Sequence, residues 1–222
     1  MAKELKAILS EQQKKFLKIF GRENSLVKRF YLTGGTALAE FYLHHRYSED
    51  LDFFNEEEFS LLPIRAFIKK AEKELEASKI DYQTFLGLHT FFFWFPNNDK
   101  LKVDFNYYPF PRIEKGLKSG EITIDSAYDI AVNKVHTISM QPRARDFIDI
   151  YFLIREKGYS MEDLLFKAKA KFDWHIDPIQ LGAQFIKAGE AEDLPRMIKK
   201  IKTSAWRSFF IDEAKKLKGS II

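Results

Sequence analysis

The sequence predicts an α+β chain in which a small mixed sheet domain is followed by a helical one. Three observations carry this expectation. Helix-like and strand-like runs alternate up to about residue 107, the pattern is almost wholly helical from about Ser126 onward, and Gly116 and Gly120 interrupt both patterns in between. The division is therefore expected with residues 1–115 as the sheet domain and residues 116–222 as the helical domain.

Each element has its own signal. From Glu4 to Phe20, the residues Leu5, Ile8, Leu9, Phe16, Leu17 and Phe20 recur with a broken helical period. Phe30–Leu32 is a short apolar run that stops at Gly34-Gly35, and Thr36–His45 returns to helical spacing through Ala37, Leu38, Phe41 and Tyr42. Leu51–Phe54 is a strand, and residues 61–77 form a helix with Leu62, Ile64, Phe67, Ile68, Ala71 and Leu75 on its inner face. Three strand-like runs follow, Tyr82–Leu86, Thr90–Phe95 and Lys102–Tyr107, with Pro96-Asn97-Asn98-Asp99 as the turn between the last two. Ala127–Ile138 and Arg145–Ile154 are the clearest helices of the second part.

Composition narrows the chemistry. The 222 residues are 45% hydrophobic and 31% charged, which is the balance of a globular chain and not of a disordered one, and 22 Phe imply a Phe-rich core. There is no Cys, so disulfides, thiolate metal sites and a cysteine nucleophile are excluded, in keeping with a reducing cytosol. The opening MAKELKAILSEQQKKF is charged and helical in pattern, without the apolar region of a signal peptide, and the apolar runs are too short to span a bilayer. A cytoplasmic location without a membrane partner is the expectation. The net charge of +4 falls beyond residue 154, where 14 Lys and Arg meet 10 Asp and Glu. Arg196, Lys199, Lys200, Lys202 and Arg207, with Trp206, could track a phosphate backbone, although a solvated helical surface explains the charge equally simply.

The residues that can carry chemistry begin with Gly34-Gly35-Thr36. Two glycines between a strand and a helix permit a tight turn and close approach of a phosphate, with Thr36 adding a hydroxyl to a phosphate or as a cap; alone, the pair is also an ordinary turn. Asp50 and Asp52 alternate along a strand, so both carboxylates share a face. Neighbouring carboxylates repel unless a cation lies between them, and oxygen ligands of this kind suit Mg²⁺ or Mn²⁺. Asp104, between apolar Val103 and Phe105, is the candidate third carboxylate on a neighbouring strand. Lys134 lies on a mostly apolar helix and needs a partner if buried, which Asp146 or Asp149 on the next helix can supply. Arg46 can reach a phosphate or pin Asp50 or Glu49, and Arg143 and Arg145 can brace the helix pair or touch nucleic acid. His44 and His45 are adjacent and cannot face one metal from a helix, which argues against zinc.

Together, GGTALAEFYLHHRYSEDLDFF, the run Asp129 to Lys134 and the run Arg145 to Ile150 resemble the AbiEii/AbiGii toxin family of the polymerase-β-like nucleotidyltransferases, over roughly residues 30 to 155. The resemblance implies a minimal nucleotidyltransferase sheet domain with a C-terminal helical domain. It also implies Mg²⁺-dependent transfer of a nucleoside monophosphate from an NTP to an acceptor hydroxyl, for some members a tRNA 3′ end, in type IV toxin–antitoxin or abortive-infection systems. A winged-helix antitoxin is the implied partner. Carried onto this chain, Gly34, Gly35 and Thr36 would cradle the phosphates, Asp50 and Asp52, with Asp104, would hold metal, Lys134 would contact the triphosphate, and Asp146 would position Lys134 or the hydroxyl. Two other readings stay open: transfer onto a protein hydroxyl, and an inert interaction module of the same fold.

Overall fold

The computed structural model describes residues 8–217. The chain forms two compact units, one built from the chain up to Tyr42 together with Tyr47–Ser126, the other from Leu43–Arg46 together with the chain from Ala127 onward. None of the described helices is long and apolar enough to cross a membrane.

The first unit opens with α1 (Glu11–Phe20). Ser10 accepts the backbone N–H of Gln13 while the Gln13 side chain accepts that of Ser10, a reciprocal cap that starts the helix at Glu11. The expected helix from Glu4 is thus shorter at its described end, and Glu4–Ala7 lie outside the described residues. A short α2 (Asn24–Val27), absent from the sequence reading, precedes β1 (Tyr31–Thr33). Helix α3 (Gly34–Leu38) follows at once and widens into a π turn over Ala39–Leu43. Then come β2 (Asp50–Asn55), α4 (Leu61–Leu75), β3 (Lys79–Phe85), β4 (Leu88–Trp94), β5 (Lys100–Tyr107), β6 (Leu117–Ser119) and β7 (Ile122–Ile124).

Among the described residues these strands make one seven-stranded sheet in the order β3-β4-β5-β2-β1-β7-β6. Strand β2 runs parallel to β5 and antiparallel to β1, and β1 runs parallel to β7. Burial alternates along β2, so Leu51 and Phe53 enter the core and Asp50 and Asp52 take the other face. On the core side Phe53 stacks on Phe105 at 5.3 Å and meets Phe20 of α1 at 4.2 Å, and Phe16 meets Phe67 of α4 edge-on at 5.4 Å. Each such pair adds about 0.5–1.5 kcal/mol beyond its buried area. The opposite face of the sheet carries Asp50, Asp52, Lys102 and Asp104 together with Phe54, Phe92 and Trp94.

The sheet unit extends past the expected division at residue 115. Gly116 does not mark a linker: a Cβ there would come within 1.8 Å of the Ile124 carbonyl oxygen, so glycine is required for the chain to lie against β7. Gly120, at φ +57°, turns the β6–β7 hairpin. The hairpin has no apolar run like that of β1 to reveal it: β6 is exposed along its whole length, and three-residue strands are too short to show an alternation.

The second unit holds α5 (Ala127–Met140), α6 (Ala144–Lys157), α7 (Met161–Phe172), α8 (Pro178–Ile186) and α9 (Thr203–Leu217). Ser160 caps α7, Asp177 caps α8 ahead of Pro178, and Gly158 ends α6 in the left-handed region. Helix α5 is buried along most of its length. Phe147 meets Phe210 at 4.7 Å and Trp206 at 6.2 Å, and Phe185 meets Phe210 at 5.5 Å. Trp206 is 1% exposed, which corrects the expectation that its ring could face a nucleic acid: it is a core residue.

Candidate active site

The carboxylate face is set by strand register. Parallel pairing places Asp50 opposite Lys102 and Asp52 opposite Asp104, and antiparallel pairing places Thr33 of β1 opposite Asp52. Directly opposed residues in a sheet share a face, so Asp50, Asp52 and Asp104 share one face with Lys102 and Thr33. Asp104 is only 4% exposed, and its Oδ1 has no hydrogen-bond partner among the described residues.

Lys102 is the member of this group that the sequence reading lacked. Its Nζ lies 2.7 Å from Asp104 Oδ2 and 3.5 Å from Asp50 Oδ2. Burial alone would lower the pKa of its ammonium, but the hydrogen bond and charge of Asp104, then the charges of Asp50 and Asp52, outweigh it and raise the pKa. Among the described residues no three His, Asp or Glu side chains come together as a formed metal site. The residues present nonetheless fit a hard divalent cation. The donors are all carboxylate oxygens, and Asp104 Oδ1 is buried without a partner. Beside Asp52, a Cβ on Gly34 would fall 2.2 Å from Oδ2, so the glycine keeps that space open.

Gly34 is fixed twice over, by that approach and by φ +74°. It is the first residue of α3, and Gly35 follows within the same turn, so the pair opens a helix directly from the strand. Thr36 departs from its expected role as a phosphate ligand or cap. It is fully buried and its hydroxyl donates to the Asp50 carbonyl, tying α3 to β2. The floor of the face holds a second residue that had no motif to reveal it: Asp125, just after β7, is fully buried and accepts the Thr33 hydroxyl at 2.7 Å, while its backbone carbonyl accepts the Tyr42 hydroxyl at 2.8 Å.

Lys134 and Asp146 belong to the helical unit, where they form part of a buried ion network. Lys134 Nζ lies 2.8 Å from both Asp146 Oδ1 and Asp149 Oδ2. Arg46 donates to both oxygens of Asp149, at 2.6 and 2.7 Å, and His45 Nε2 lies 2.6 Å from Oδ1. Arg143 Nε donates to Asp146 at 2.9 Å. Burial would raise the carboxyl of Asp149, but Arg46 and then Lys134 hold it well below the usual range, and Asp146 is lowered in the same way by Lys134 and Arg143. Lys134 would be lowered by burial, yet Asp146 and Asp149 raise it. Burial lowers His45, which keeps the ring neutral and makes Nε2–H the donor to Asp149. Arg46 therefore pins Asp149; the segment Leu43–Arg46 is also held by the His45 carbonyl, which accepts the N–H groups of Ile198 and Lys199.

The basic stretch near the C-terminus is less free than its composition implied. Lys199 bonds both oxygens of Glu156 at 2.7 and 2.8 Å, and Arg207 donates to the Ala191 carbonyl.

The model of the family described as "Nucleotidyl transferase AbiEii toxin, Type IV TA system" matches residues 18–216. The uncharacterized protein aq_aa25 of Aquifex aeolicus (strain VF5) is 34% identical over 146 residues, which cover 64% of this chain and 66%, just under two thirds, of that protein. Among solved structures, JHP933 from Helicobacter pylori superposes with a TM-score of 0.57 at 19% identity, covering 96% of this chain and 94% of that one. An H. pylori protein provisionally described as a nucleotidyltransferase gives 0.55 at 18% identity, covering 96% and 97%. At these identities the structural likeness speaks for the fold.

Proposed function

The chain belongs to the AbiEii nucleotidyltransferase toxin family of type IV toxin–antitoxin systems, and from that premise we propose that it transfers a nucleoside monophosphate from an NTP to an acceptor hydroxyl. One observation carries the reading most directly: Asp52 lies in register with Asp104 on the neighbouring parallel strand, with Asp50 on the same face and Gly34 against the Asp52 carboxylate.

In this reading the acceptor oxygen attacks the α-phosphorus in line, and pyrophosphate leaves. Asp50, Asp52 and Asp104 would hold Mg²⁺ or Mn²⁺, which when bound supplies charge neutralisation at the attacked phosphate. The unpartnered Oδ1 of Asp104 would accept the proton of the attacking hydroxyl. Gly34 and Gly35 would admit the phosphates close to the backbone, while Thr36 acts through the carbonyl of Asp50. Lys134 would contact the triphosphate, as the family resemblance implies, and Asp146 and Asp149 hold its ammonium. Family membership favours an RNA acceptor, a tRNA 3′ end, and an antitoxin of the winged-helix kind as partner.

The test is incubation with each α-labelled NTP and Mg²⁺ beside purified tRNA and, separately, total protein. Label should enter tRNA with one NTP preferred, and Asp52→Asn should lower incorporation at least 100-fold with an unchanged melting temperature. Label in protein would redirect the acceptor. No transfer to either, with toxicity retained by Asp52→Asn, would leave an interaction module.

A further inference from the structure

We propose that Lys102 is a resident counter-cation: its ammonium takes the place of the divalent ion between Asp50 and Asp104, and must leave when the ion binds. This rests on the reading of the carboxylates as metal ligands and concerns what guards them. Three carboxylates on one sheet face would repel one another, and one of them, Asp104, is almost wholly buried. The positive charge that relieves this repulsion comes from their own sheet. Lys102 sits directly opposite Asp50 and two residues before Asp104, so its side chain leaves the same face and reaches both, at 3.5 and 2.7 Å.

The bridge is incomplete in a way that suits displacement. It satisfies Asp104 Oδ2 and leaves the buried Oδ1 without a partner. The Lys102 side chain is 30% exposed, so a route to solvent is open to it. An ammonium offers one charge and three donors. A divalent ion offers two charges and takes several oxygens at once, including those of an incoming nucleotide. The consequence is a site that binds the divalent ion weakly alone and fills when metal and NTP arrive together. Lys102 leaves as an ammonium and the carboxylates stay ionised, so no proton is transferred and no covalent bond changes.

Direct titration of Mn²⁺, read from the paramagnetic resonance of the free ion, tests this on the full chain. Lys102→Met should bind Mn²⁺ about tenfold more tightly than the wild type, and added Mn²⁺ should raise its melting temperature by more than it raises that of the wild type. Lys102→Gln is a second variant should the methionine not fold. In wild-type protein, about 10 mM Mg²⁺ added together with a non-hydrolysable NTP should speed acetylation of Lys102 severalfold while Lys215 reacts unchanged. Equal or weaker Mn²⁺ binding by both variants, with wild-type binding intact, would overturn the counter-cation and leave the metal reading standing. Absence of Mn²⁺ binding in wild type and variants alike, even beside a non-hydrolysable NTP, would remove the metal reading and this proposal with it.

Discussion

Gly34 shows how one residue can be dictated by two constraints at once. Its φ of +74° disfavours any side chain, and a Cβ would meet Asp52 Oδ2 at 2.2 Å. Gly34→Ala is therefore expected to cost about 1–3 kcal/mol in backbone strain and to displace the Asp52 carboxylate. Chemical denaturation should show the loss, and transfer should fall at least tenfold beyond what the unfolded fraction explains. Thr33 is a different case. Its hydroxyl is a buried donor to Asp125, so Thr33→Val keeps the shape and removes one hydrogen bond from a buried carboxylate. A loss of about 1–3 kcal/mol is expected in urea titration. Thr33→Ser, which keeps the donor, should recover most of it.

At the scale of elements, α5 and α6 are joined through charges, because Lys134 on one meets Asp146 and Asp149 on the other. Asp149 also receives Arg46 and His45, so Asp149→Asn leaves two buried cations undercompensated and should cost about 3–5 kcal/mol. The pH dependence follows from the direction of the shifts. Asp146 and Asp149 have lowered folded pKa values, so the stability they contribute is complete above the unfolded value of about 3.9 and is lost as pH falls below it through the folded values. His45, also lowered, acts in the same sense from its unfolded value of about 6.5 downward. Melting temperature should decline gently below pH 6.5 and steeply below pH 4. The steep part should be shallower in Asp149→Asn, and an identical acid profile in that variant would show that the network does not govern acid unfolding.

For the molecule as a whole, the chain visits the helical unit briefly at Leu43–Arg46, returns to the sheet unit at Tyr47, and leaves it finally after Ser126. The signature run from Gly34 to Phe54 thus serves two units: its ends form the carboxylate face, and His45 and Arg46 anchor to Asp149. If each unit is a cooperative body, a lesion in one opens that one. Amide exchange in Asp149→Asn should rise across α5 and α6 while β2 and β5 keep their protection. A uniform rise in all four elements would mean a single cooperative body.

The alternation of Asp50, Leu51, Asp52 and Phe53 already decided that two carboxylates share a strand face, because side-chain direction along a strand has a period of two. The helical runs after Ser126 were legible for the same kind of reason, and Lys134 announced its need for a partner by lying on an apolar helix. What no local pattern can report is which residues meet across strands and helices. The placement of Asp104 beside Asp52, the Lys102 bridge, the buried Asp125 and the capture of Arg46 by Asp149 all depend on register and packing between segments tens of residues apart. Tertiary structure decided them, because hydrogen-bonded register and burial are properties of paired segments and are written in neither one alone.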